Sequence, residues 1–156
     1  MGAALKPGDP APDFDLPTAG GARVSLKSFK GKPLVVYFYP KDDTSGCTQE
    51  ALDFTEMAAK FKAAGAAIVG VSPDAVSSHD KFAAKYGLKV QLASDPERQT
   101  IERYGVWVEK SMYGRKYMGV ERATFLVGAD GRLKHIWRKV KVKGHAEDVL
   151  AKVKER

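Results

Sequence analysis

The chain has 156 residues, of which 44% are apolar and 29% charged, a composition that is ordinary for one globular domain. We therefore expect residues 1–156 to form a single domain, and no apolar run approaches the roughly 20 residues that cross a bilayer. The 26 Lys and Arg exceed the 19 Asp and Glu by 7, so anionic surfaces would be attracted only weakly and in a salt-dependent way.

The first residues and the cysteine content indicate a compartment. The N-terminus lacks the apolar region of a signal peptide, and Lys6 stands where a lipidation motif needs Ser or Thr. Cys47 is the single cysteine, so an intrachain disulfide is excluded, which fits a reducing environment. We expect a soluble, cytoplasmic protein.

The N-terminal third leads into a central strand. Residues 1–22 are rich in Pro, Gly and Ala and predict an irregular arm with one short edge strand, and residues 23–29 predict a short strand and a turn. Residues 34–39 are an unbroken apolar run of strand length, as expected for a central parallel strand covered on both faces. Pro40 can end that strand because proline has no amide proton.

The next segment predicts a helix that carries Cys47 in its first turn. A helical apolar stripe runs through Cys47, Ala51, Phe54, Ala58 and Phe61, and Gly65 is the expected end of the helix after about residue 64. The free amides of a first turn stabilise a thiolate, and Thr44 is a candidate cap whose hydroxyl could face the sulfur or a substrate oxygen. A small buried hydrophobe is the other reading of this cysteine, and helix position alone leaves both open.

The rest of the chain alternates strands and helices. Residues 66–72 predict a strand, followed by a helix to about Tyr86, a short strand at 90–93 and a helix from Asp95 through Tyr104. This alternation predicts βαβ units and a parallel sheet. Residues 106–120 are mixed in character and are expected to form largely a loop.

The C-terminal part predicts a hairpin and a helix. The turn signal at residues 128–131 makes residues 123–127 and 133–140 an antiparallel hairpin. From about Gly144 the chain is expected to be helical to its end.

The cysteine segment resembles a known family. Pro40, Thr44 and Cys47 match the P-x-x-x-[TS]-x-x-C signature of the peroxiredoxins, and residues 37–51, YFYPKDDTSGCTQEA, resemble the peroxiredoxin Q subfamily, also called bacterioferritin comigratory protein. Residues 69–74, 78–82 and 121–127 are similar to later blocks of that subfamily. The resemblance implies an α/β, thioredoxin-like fold, with a central mixed β-sheet flanked by helices and an N-terminal extension.

The resemblance also implies an activity and a set of site residues. Cys47 would be the nucleophile that reduces hydrogen peroxide and small organic hydroperoxides and becomes a sulfenic acid. Thr44 would hold the peroxide and the thiolate, Arg122 would donate hydrogen bonds to both, and Pro40 would shield the sulfur. The backbone amides of Gly46 and Cys47 are further donors, and no metal or organic cofactor is required.

Elementary chemistry indicates what such a site must supply. A free thiol is already about 3% ionised at pH 7, so full ionisation accelerates its attack by roughly thirtyfold at most. Most of the catalysis must therefore come from orientation and from donors aimed at the breaking O–O bond.

Two departures from the subfamily concern the second half of the cycle. Many members carry a resolving cysteine where this chain has Leu52, and others carry one in the segment matching residues 81–86, which has none here. We therefore expect a one-cysteine mechanism with an external reductant: a thioredoxin, a glutaredoxin with glutathione, or a small dithiol. Ser45 replaces a common proline, and the subfamily resemblance implies a monomer or weak dimer.

The sequence is also compatible with two other functions. A redox sensor or relay would use Cys47 to form a mixed disulfide with a partner protein. A nucleic-acid-binding protein would use the basic segment 132–143, but we favour a solvated strand edge in which lysines resist aggregation and alternate with Val140 and Val142.

The remaining polar candidates indicate no separate site. His79, His135 and His145 show no zinc-binding spacing, so we expect no metal. Asp42, Asp43 and Glu50 are interpreted as solvated charges, with a buttress for Arg122 as the alternative for Glu50. Trp107 is interpreted as structural, with a place on the rim of the active site as the alternative.

Overall fold

The structure, a computed structural model, describes residues 4–155, so the first three residues of the expected N-terminal arm lie outside the described range. Its strands and α-helices follow in the order β1 (Asp15–Pro17), β2 (Arg23–Ser25), β3 (Leu34–Phe38), α1 (Ser45–Glu56), α2 (Ala58–Ala63), β4 (Ala67–Ser72), α3 (Val76–Tyr86), β5 (Gln91–Ser94), α4 (Gln99–Arg103), β6 (Trp107–Met112), β7 (Arg115–Val120), β8 (Ala123–Val127), β9 (Leu133–Trp137) and α5 (His145–Lys154). Two short 3-10 helices flank β2, at Ala19–Gly21 and Leu26–Phe29.

A five-stranded mixed sheet forms the centre of the molecule, as the family resemblance implied. Its strand order is β5-β4-β3-β8-β9, in which β3 pairs in parallel with β4 and antiparallel with β8. All five residues of β3 are buried, which fits the unbroken apolar run and the covering of both faces. The backbone amide of Tyr39 still donates to the Val71 carbonyl at 3.1 Å, and the strand pairing ends at Pro40.

The two faces of the sheet support separate hydrophobic clusters. Leu34, Val36 and Phe38 pack on the face that also buries the N-terminal arm and the C-terminal end of β7. Val35 and Tyr37 point to the opposite face, where α1, α3 and α5 bury their apolar stripes together with Cys47. Because side chains alternate along a strand, β3 contributes residues to both hydrophobic clusters.

The helices differ from the expectation in two places. The expected helix from Cys47 to about residue 64 is divided at Met57, whose ψ of 4° ends α1 before α2 begins. The helix expected from Asp95 starts only at Gln99, because Arg98 is in the left-handed region at φ 64° and interrupts the helical path.

The expectation of a loop at residues 106–120 is wrong. This segment forms a separate two-stranded antiparallel hairpin of β6 and β7. Its two turn residues, Tyr113 and Gly114, have φ of 51° and 79°, the conformation of a tight turn whose twist matches that of the strands.

The basic C-terminal segment forms the expected edge. β9 is an edge strand and pairs with β8, although it ends at Trp137 and is shorter than expected. Val140 and Val142 are half-buried and alternate with exposed lysines, but they lie after β9 in a segment that is not a strand. Within residues 4–155, no helix combines the length and the apolar composition needed to cross a bilayer.

Candidate active site

Cys47 is the third residue of α1, as the sequence predicted, and is only 1% exposed. The first backbone hydrogen bond of α1 runs from the Thr48 amide to the Thr44 carbonyl at 2.8 Å. The amides of residues 45–47 precede that bond and so lack acceptors within the helix. They point their partial positive charge toward the space in front of the helix, where a thiolate and an anionic leaving oxygen are stabilised.

Arg122 contacts the cysteine directly. It lies between β7 and β8, and its Nη2 donates to Cys47 Sγ at 3.3 Å. A Cβ atom at Gly46 would lie 3.1 Å from the same nitrogen, so glycine at this position allows the guanidinium to approach the sulfur. The fixed positive charge stabilises the thiolate over the thiol.

Glu50 holds Arg122 from the other side. Its Oε1 accepts from Arg122 Nη1 at 2.7 Å, so the buttress interpretation is confirmed. The interpretation as a solvated charge is wrong, because the side chain is 1% exposed on the inner face of α1. Burial raises the pKa of Glu50 to about 7 although Arg122 opposes the shift, and its Oε2 has no partner among the described residues.

Pro40 and Thr44 lie in the segment that connects β3 to α1. Thr44 occupies the cap position of α1, but its hydroxyl donates to the Lys41 carbonyl at 2.9 Å and makes no cap bond to the helix. Pro40 is half-buried directly after the central strand. The exposed Thr44 hydroxyl keeps its lone pairs, so it can accept from a peroxide in front of the sulfur.

The two aspartates of the loop differ in environment. Asp43 is exposed, as expected, whereas Asp42 is buried and accepts hydrogen bonds from Tyr39, Ser78 and His79. Burial raises the pKa of Asp42, but these three bonds outweigh it, so the pKa lies below its usual value. The solvated interpretation is therefore wrong for Asp42.

His79, His145 and Trp107 lie outside the immediate contacts of the sulfur. His79 is buried against Asp42, which no spacing in the sequence indicated. His145 starts α5 and hydrogen-bonds Thr124 Oγ1 at 2.7 Å. Trp107 is half-buried against the core with the Arg98 guanidinium 4.7 Å from its ring centre, which fits the structural interpretation.

Comparisons with known proteins agree with this geometry. The AhpC/TSA family matches residues 7–136. Peroxiredoxin Bcp of Xanthomonas campestris is 49% identical over 147 residues, 93% of this chain and 92% of the relative. Peroxiredoxin Bcp of Bacillus subtilis is 46% identical over 148 residues, 95% of this chain and 94% of the relative.

Solved structures show the same likeness. A PrxQ mutant of Xylella fastidiosa superposes with a TM-score of 0.92 at 39% identity, covering 98% of both chains. The bacterioferritin comigratory protein of Xanthomonas campestris, solved as trapped intermediate and ligand complexes that concern its alkyl peroxide reduction activity, superposes with a TM-score of 0.86 at 47% identity, covering 90% of both chains.

Proposed function

The chain belongs to the AhpC/TSA family as a peroxiredoxin of the Bcp, or Q, type, a thiol-dependent peroxidase, and we propose that Cys47 is its peroxidatic residue. The Cys47 thiolate attacks one peroxide oxygen in line with the O–O bond. The S–O bond forms as the O–O bond breaks, Cys47 becomes a sulfenic acid, and the leaving oxygen takes up a proton as water or an alcohol.

The observation that carries the proposal is the contact of Arg122 with both Cys47 and Glu50. One planar guanidinium is fixed by the buried carboxylate and presents its other nitrogen to the sulfur. The peroxide then lies between Arg122, the Thr44 hydroxyl and the amides of Gly46 and Cys47, with Pro40 excluding water. Donors on several sides of the O–O bond stabilise the charge that moves onto the leaving oxygen.

The substrates are hydrogen peroxide and small organic hydroperoxides. Cys47 is only 1% exposed, which favours small peroxides over large ones, and the Xanthomonas relative is described by its alkyl peroxide reduction activity. The chain has no second cysteine, so an external thiol completes the cycle: a thioredoxin, a glutaredoxin with glutathione, or a small dithiol. We place this reaction in one cytoplasmic domain that is a monomer or weak dimer.

Peroxide consumption with excess dithiothreitol tests the assignment. We expect Cys47→Ser to abolish turnover and Arg122→Met to reduce it strongly, while Arg98→Met, which removes an exposed arginine stacked on Trp107, retains it. Turnover by Cys47→Ser near that of the wild type would overturn the proposal.

A further inference from the structure

The loop that precedes α1, residues 40–44, is fastened to α3 by two adjacent aspartates, and we call it the active-site loop. Asp42 Oδ1 accepts from the Tyr39 hydroxyl at 2.6 Å. Its Oδ2 accepts from Ser78 Oγ at 2.8 Å and faces His79 Nδ1 at 2.7 Å. Because Asp42 is buried, these bonds cannot be replaced by water while the loop stays in place.

His79 is held at both ring nitrogens. Its side chain is 2% exposed, with Nδ1 at 2.7 Å from Asp42 Oδ2 and Nε2 at 3.0 Å from the Ala93 carbonyl oxygen. Because Ala93 belongs to β5, His79 links the active-site loop to the central sheet as well as to α3.

Further bonds tie the same loop to its surroundings. The Asp42 amide donates to Asp74 Oδ2 at 2.8 Å, which also accepts from Ser72 Oγ at 2.7 Å. Asp43, in the left-handed region at φ 60°, accepts from Lys85 at 2.8 Å and from the Tyr86 hydroxyl at 2.6 Å. Asp42, Asp74 and His79 could be mistaken for a cation site, but their clustered oxygens and nitrogens already pair within the protein.

The two halves of the catalytic cycle place opposite demands on this loop. A small peroxide can reach a sulfur that is 1% exposed, and its reaction needs the loop in place. A protein thiol must bring its own sulfur into contact with the sulfenic acid, which the closed loop prevents. The cysteine-free α3 cannot supply that thiol itself.

We propose that His79, paired with Asp42, is a positioning residue that holds the active-site loop closed over Cys47 and so sets the balance between peroxide reduction and reductant access. This inference rests on the proposed function. Weakening the pair slows oxidation of Cys47 and speeds reduction of its sulfenic acid by a protein thiol. A merely structural role would slow both steps together.

The test measures the two steps separately in His79→Asn, whose shorter side chain keeps a donor but cannot reach both Asp42 and the Ala93 carbonyl. We expect oxidation by hydrogen peroxide to slow by about tenfold, and reduction of the preformed sulfenic acid by reduced thioredoxin to accelerate by at least a few-fold. His135→Asn, the same change at a half-buried histidine of β9, is the matched control and should leave both rates unchanged. Parallel slowing of both steps, or no change, would overturn the proposal.

Two further measurements keep the result interpretable. If His79→Asn does not fold, Ser78→Ala removes one hydrogen bond from Asp42 and should shift the two rates in the same opposite directions to a smaller extent. Hydrogen exchange of the Asp42 amide, which donates to Asp74, should be faster in His79→Asn than in the wild type and reports loop opening without turnover. Unchanged exchange would overturn the role of His79 whether or not the protein is a peroxidase, whereas faster exchange in an inactive protein would refute only the function.

Discussion

Glu50→Gln tests the electrostatics of the site through stability. The pKa of Glu50 is about 7 in the folded protein, raised from its ordinary value of 4.5 because burial disfavours the charged form. The folded state therefore holds a proton on Glu50 that the unfolded chain releases between pH 4.5 and 7. Its stabilising contribution is fully present below pH 4.5 and is lost as the pH rises to 7.

The magnitude follows from the shift of pKa. At about 1.4 kcal/mol per pKa unit, the wild type loses about 3 kcal/mol of unfolding free energy from this residue across that range. Glutamine keeps an oxygen for the Arg122 guanidinium and cannot ionise. The difference in stability between variant and wild type should therefore shift in favour of the variant by about 2 to 3 kcal/mol between pH 5 and pH 8.

Urea unfolding of both proteins at pH 5, 6, 7 and 8 measures this difference. Glu56→Gln, at an exposed glutamate of the same helix, is the matched control and should run parallel to the wild type. Parallel curves for Glu50→Gln and the wild type would refute the reasoning, because they would show that Arg122 fully compensates the burial of the carboxylate.

Three further results are expected. Arg122→Met should slow oxidation of Cys47 by about a hundredfold in stopped-flow experiments. Arg122→Lys should recover little because its single nitrogen cannot reach both Glu50 and Cys47 as the two guanidinium nitrogens do, and wild-type rates in both variants would contradict a role in the chemistry. The wild type should lose about 3 kcal/mol of unfolding free energy as the pH falls from 6.5 to 4, because burial lowers the pKa of His145 to about 4 and folding therefore disfavours its protonation. His145→Gln should abolish this loss. The same dependence of stability on acid pH in both proteins would contradict the reasoning. Gly70→Ala should lower the unfolding free energy by about 1 to 3 kcal/mol in urea, because its Cβ would lie 2.6 Å from the Tyr37 ring; a neutral result would show that the ring can move away.

Much of the architecture could be predicted because short stretches of the sequence carry enough information to indicate each element. The buried run at β3, the helical stripe from Cys47 and the turn between β8 and β9 each carry their own periodicity or turn signal. The family resemblance added the thioredoxin-like arrangement of these elements. These features need no knowledge of distant residues.

The hairpin of β6 and β7 was missed because its local signal is weak. Six of its twelve strand residues have charged or hydroxyl side chains, and its tight turn places Tyr113, rather than Asn or Gly, at a positive φ. The tip also exposes large hydrophobic side chains, including a fully exposed Tyr113, so inward and outward positions are not distinguished by polarity.

The charged residues of the site were misjudged for another reason. Whether Glu50 and Asp42 are solvated depends on Arg122 and His79, which lie 72 and 37 residues away along the chain. An isolated acidic residue after a strand or within a surface helix is usually exposed, so the pattern favours the wrong environment. Only the folded arrangement of α1, α3 and β8 brings the partners together.

The central claim, that Cys47 is the peroxidatic residue, is tested most directly by rapid mixing of the reduced protein with one equivalent of hydrogen peroxide. Tryptophan fluorescence follows the reaction, and dimedone followed by intact mass measurement traps the sulfenic acid. We expect oxidation far faster than that of a free thiol, with one dimedone adduct on Cys47. Oxidation no faster than that of a free thiol would contradict the claim.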